Sequence, residues 1–197
     1  MTTRFAKEKL PHGYRLAARI DLIKNRRQLL LVNGLAIVLM LLTIAAGIFL
    51  QPQGADNALR MTDDPWGFAL KALAAALGML IYIVGHEAVH GVCMWLYSRS
   101  KPHFGFSLAY AYAGSQLYFA KQPYMVIAIA PVVIWGILLG LLAALLPAAW
   151  FWPVWMIQVT NISGAAGDFY VFARMIHQPA SVLVQDTGTA MSLWKPA

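Results

Sequence analysis

Four long apolar runs alternate with short polar or charged stretches along the chain. The first, from about Leu29 to Leu50, has Asn33 and Thr43 as its only polar side chains and is long enough to cross a hydrocarbon core of about 30 Å. The second begins near residue 66 and continues to about Tyr97, and the third runs from about Tyr124 to Leu146. The fourth follows a turn over 147–153 and ends near Arg174. Between the second and third runs the period changes. Bulky Phe104, Phe106, Leu108, Tyr110 and Tyr112 alternate with small Gly105, Ser107, Ala109, Ala111 and Ala113, which is the repeat of a strand rather than a helix. Gly114-Ser115 reads as a turn and 116–120 as a returning strand. The pattern predicts an all-α membrane fold of four transmembrane helices, with a short β-hairpin-like segment between the second and third. Residues 1–27 form a basic interfacial segment, 28–176 the transmembrane domain and 177–197 a tail that rests at the interface or frays.

Composition agrees. Of 197 residues 60% are hydrophobic and 12% charged, a membrane rather than a globular balance. The net charge of +7 invites a nucleic-acid reading, yet eight of the 15 lysines and arginines precede the first apolar run and no base-stacking aromatics interleave with them. Nucleic acid is therefore excluded as a partner, and the basic block reads as a topology signal and a contact for anionic membrane lipid. Leu16, Ile20 and Ile23 recur near helical spacing there, as in an interfacial helix. The block is too long for the n-region of a signal peptide, and no A-x-A site follows. Arg99, Lys101 and Lys121 fall on the same side as this block, and Asp56, Asp63 and Asp64 on the other. Both termini are thus expected in the cytoplasm. The lone cysteine, Cys93, excludes an internal disulfide and reads as packing.

Within the second run stands His86-Glu87-Ala88-Val89-His90. On a helix His86 and His90 lie one turn apart on one face and can reach a single metal ion, with Glu87 beside them to take a proton from water. An acid at the centre of a membrane helix costs at least about 2.5–3.5 kcal/mol, so three such groups in five residues require a reason. Metal ligation is one, and a polar knot that pins helix packing is the other. Asp168 is the only acid of the last two runs. Counted inward from the same face, His86 lies roughly 28 Å deep and Asp168 roughly 24 Å at 1.5 Å per residue. Two imidazoles and a carboxylate leave a fourth position open, the pattern of a catalytic zinc site. The competing partner for Asp168, Arg174, is poorly spaced for a helical pair. Asn161 lies two turns before Asp168, with Gly164 between. It fits either a donor to a substrate carbonyl or developing oxyanion, or a plain interhelical hydrogen bond. The hairpin edge likewise suits either an added peptide strand or a plug in the bundle mouth.

His86-Glu87-x-x-His90, Asn161-x-x-Gly164-x-x-Gly167-Asp168, the loop Lys101-Pro-His-Phe-Gly-Phe and Ala128-Ile-Ala-Pro131 together resemble a family of prokaryotic membrane proteins described as putative zincin peptidases. More distantly they resemble the site-2 intramembrane metalloproteases, in which proline stands where Gly164 does and glycine follows the aspartate in place of Phe169. The resemblance implies zinc held by His86, His90 and Asp168, Glu87 as general base, and a location in a prokaryotic cell membrane. The expected function is a zinc metalloprotease that cleaves a membrane protein or peptide near the cytoplasmic face. The alternative is a non-catalytic metal-binding or transport protein, or a pseudo-protease. Transport usually brings internal repeats and broken helices, and neither is evident here. Di-iron oxygenase chemistry needs more histidines than the five present, of which His12 and His177 lie near the ends.

Overall fold

Three helices carry the long apolar runs. In the computed structural model, which describes residues 5–21, 24–52, 64–106 and 111–197, they are α1 (Arg26–Leu50), α2 (Pro65–Ser98) and α3 (Lys121–Leu145). Each is long and apolar enough to cross a membrane, and their most apolar windows are only 6%, 6% and 28% buried within the protein. Leu30, Leu42, Leu70, Ile81 and Ile137 are exposed. A helix apolar on all sides with so little of it covered is a segment suited to lipid.

The fourth run forms no such helix. It divides into a 3-10 turn at Ala148–Trp150, α4 (Phe151–Gly164) and α5 (Ala166–Ile176). The break falls at Ala165, where ψ is 14°. It lies between Gly164 and Gly167, and glycine weakens a helix interior by roughly 1 kcal/mol. The strands are β1 (Ala6–Lys7), β2 (Tyr14–Ile20), β3 (His103–Phe106), β4 (Ala111–Gly114), β5 (Tyr118–Ala120), β6 (Leu183–Asp186) and β7 (Met191–Pro196). The expectation of a four-helix all-α membrane fold is thereby corrected. Among the described residues there are three membrane-length helices, two shorter ones and two antiparallel sheets.

The larger sheet has the order β1-β5-β6-β7-β2. No interfacial helix forms over Leu16 and Ile20. That segment is β2, with Leu16 opposite Trp194 and Ile20 opposite Met191, and Ile23 lies outside the described residues. The tail supplies β6 and β7 rather than fraying. The smaller sheet pairs β3 with β4, Phe104 facing Ala113 and Phe106 facing Ala111. The alternation from 104 to 113 was thus two strands and not one, with 107–110 outside the described residues. Tyr118–Ala120 does not return along it but pairs with β1 and β6.

The described chain divides into two compact units. Unit 1 comprises Met1–Val32, Gly85–Pro131 and Gly167–Ala197. Its core joins Phe119, Val184 and Leu193 of the large sheet to Met94 of α2, Ile127 of α3 and Met175 of α5. Lys121, at the start of α3, holds the end of α5 by donating from Nζ to the carbonyls of Ile176 (2.9 Å) and Gln178 (2.6 Å), a cation where a helix C-terminus favours one. Unit 2, Asn33–Val84 and Val132–Ala166, clusters Tyr82, Leu139, Val154 and Ile157, and Trp155 Nε1 donates to the Thr43 carbonyl at 2.9 Å.

Candidate metal centre

His86, Glu87 and His90 project from consecutive turns of α2, and Asp168 from the first turn of α5. All four belong to unit 1. One spacing of four residues brings the two imidazoles together, their ring centroids 5.0 Å apart at 75°. His86 Nε2 stands 3.2 Å from Asp168 Oδ2, and His90 Nε2 3.6 Å from Asp168 Oδ1. One ligating atom from each of the three residues lies within 4.8 Å of the others. A tetrahedral zinc with nitrogen and oxygen ligands at about 2.0–2.1 Å requires ligand atoms about 3.3 Å apart, and the two nitrogen–oxygen separations, each to a different carboxylate oxygen, lie near that value. Two imidazole nitrogens and a carboxylate also form a donor set that zinc accepts. The residues fit the ion that the sequence implied.

Two backbone groups orient this cluster. His90 Nδ1 lies 2.9 Å from the Ile127 carbonyl. A carbonyl only accepts, so Nδ1 carries the hydrogen and Nε2 is turned toward Asp168. Glu87 Oε2 accepts the N–H of Ala113 in β4 at 2.8 Å. Neither partner was foreseen from the sequence.

Glu87, His90 and Asp168 line a cavity of about 590 Å³ within unit 1, otherwise walled mainly by apolar residues such as Met94, Ala128, Val171 and Met191. Tyr124 and Asp186 are among the further polar residues that line it, and reading the sequence missed both as site residues. Asp186 at the end of β6 accepts the Tyr124 hydroxyl at 2.5 Å through Oδ2 and the Gly188 N–H at 2.8 Å through Oδ1. Burial pushes the Asp186 carboxyl above the usual carboxylate range, opposed by the hydrogen bonds from Tyr124 and Gly188. The structure also places Asp168 against the histidines and not against Arg174.

Asn161 belongs to unit 2. It is fully buried on α4, and its Nδ2 donates to the Val132 carbonyl at 3.2 Å and to Gln158 Oε1 at 3.4 Å. The first of these contacts reaches α3 and the second stays within α4.

Among families of known proteins, the one described as putative zincin peptidase matches residues 79–183, a span that contains all four residues of the cluster. No curated protein and no solved structure matches the chain.

Proposed function

The chain belongs to the putative zincin peptidase family, and from that premise we propose that it is a zinc metallopeptidase of the membrane, hydrolysing a peptide bond in or beside the bilayer near its cytoplasmic face. The observation that carries this reading is the convergence of His86, His90 and Asp168, from two helices, beside Glu87 at a cavity wall. A zinc ion held by the three would act as a Lewis acid and bring the pKa of its water to about 7.

The protein's own groups then do the rest. Glu87, steadied by the Ala113 N–H, takes a proton from the attacking water and returns it to the leaving amine. The Ile127 carbonyl holds the His90 imidazole in register. Strand residues alternate in direction, so Ala111 of β4 presents its backbone on the same side as Ala113. An extended substrate can pair along that edge beside Glu87. Support for an intramembrane position is that the H-E-x-x-H motif lies inside a helix of membrane length. Support for the cytoplasmic side is charge: thirteen of the 15 lysines and arginines belong to unit 1, the exceptions being Arg60 and Lys71.

The test is Glu87→Gln in purified full-length protein. Glutamine still accepts from Ala113 but does not take up a proton. Cleavage of extended apolar peptides, followed by mass spectrometry, should fall by about 10²–10⁴-fold, with zinc content by elemental analysis unchanged. Hydrolysis at the wild-type rate in this variant would sink the mechanism.

A further inference from the structure

Within a helix each carbonyl accepts from the N–H four residues later, and a proline at that later position has none to offer. Pro131 lies inside α3, so the carbonyl it leaves without a helical donor is that of Ile127. This is the carbonyl that faces His90 Nδ1 at 2.9 Å. Both Ile127 and Pro131 are buried, and a buried carbonyl needs a partner from within the protein. The histidine therefore supplies the bond that the proline withholds. In return the carbonyl fixes the hydrogen on Nδ1 and keeps Nε2 facing Asp168, 3.6 Å from its Oδ1. Hydrogen bonds of this kind to a ligand's second nitrogen set its tautomer and ring orientation, and losing one typically weakens metal binding by roughly 10–100-fold.

We infer that Pro131 is a positioning residue for the metal centre, acting through the Ile127 carbonyl it leaves open to His90. The inference rests on the metal-site reading above. An alanine at 131 restores a peptide N–H aimed at the same carbonyl, which then competes with the imidazole. Were the proline there only to bend or pack α3, the metal would not sense the exchange.

The experiment uses metal-stripped full-length protein in detergent, titrated with Co²⁺ alone and followed by its visible ligand-field bands, with Zn²⁺ competition giving the affinity. Pro131→Ala should bind roughly 10–100-fold more weakly than wild type. Pro123→Ala should bind as wild type does, because Pro123 sits in the first turn of α3, where no helical N–H is required. Nδ1-methylhistidine at position 90, which keeps Nε2 but cannot donate, should reproduce the loss seen with Pro131→Ala. If Pro131→Ala does not fold, the methylhistidine protein decides alone. Wild-type affinity and spectrum in either variant overturn the inference. A wild-type protein that binds no Co²⁺, or a His90→Ala protein that binds it equally well, overturns the metal-site reading itself, and the positioning role with it.

Discussion

Replacing Asp168 with asparagine tests whether the three donors act as one site. The change preserves shape but removes the carboxylate that faces both Nε2 atoms. If the cluster binds zinc, free zinc at about 100 times the dissociation constant stabilises the folded chain by about 2.7 kcal/mol. At about 2–4 °C per kcal/mol for a chain of this size, the melting temperature should rise by roughly 5–11 °C. Loss of a direct ligand should cost at least the roughly 100-fold that marks the upper range for indirect supporting partners. At the same zinc concentration the ratio to Kd then falls to about 1, leaving about 0.4 kcal/mol, or roughly 1–2 °C. The assay is thermal unfolding of chelator-treated protein in detergent with and without zinc, beside His12→Ala, whose histidine is exposed and apart from the cluster. An Asp168→Asn protein that keeps the full zinc-induced rise would refute the ligand set. So would a His12→Ala protein that loses as much of it.

Tyr124→Phe should lower stability by about 1 kcal/mol in denaturant unfolding, because it strips one donor from the partly buried Asp186 carboxyl; no measurable change would mean that this hydrogen bond contributes nothing to the fold. Asp186→Asn addresses the same group through pH. Burial raises the folded pKa of Asp186, so folding favours its protonated form; that contribution is full below the ordinary carboxylate value of about 3.9 and is lost as pH rises through the folded value. From about pH 4 upward metal-free wild type should therefore lose more stability than metal-free Asp186→Asn, and parallel melting curves for the two would contradict the burial argument.

The three clustered side chains were legible because helical spacing and depth are one-dimensional quantities. His86 and His90 declare themselves four residues apart, and a lone acid at matching depth singles out Asp168. The sheet was not legible. Its strands are two to seven residues long, and its longest pairing joins β2 near one end of the chain to β7 near the other, so no local window contains the contact that decides the conformation. In β2 the apolar positions Leu16 and Ile20 suit a helical face as well as a strand. What settles the matter is Met191 and Leu193 packing with Ile20 in one core, and that packing lies outside the reach of periodicity. The role of the Ile127 carbonyl had a sequence signal that was not read for its meaning, namely a proline four residues downstream in an apolar helix.

The depth estimate for Asp168 treated the fourth run as one continuous helix, and the chain breaks at Ala165. The estimate nevertheless found the right neighbour, and the break itself helps to explain why an acid is tolerated there. In an unbroken helix Asp168 would sit roughly five turns from the N-terminus and two from the C-terminus, in neither end turn. With α5 starting at Ala166, it falls in a first turn, where unpaired N–H groups and the helix dipole favour a negative charge by about 0.3–1 kcal/mol. The glycines that weaken the helix on either side of the break are thus part of how the carboxylate is accommodated. The interruption that removes a fourth membrane-length helix also gives an acid in an apolar setting a terminus to occupy, facing two imidazoles that a continuous α2 supplies.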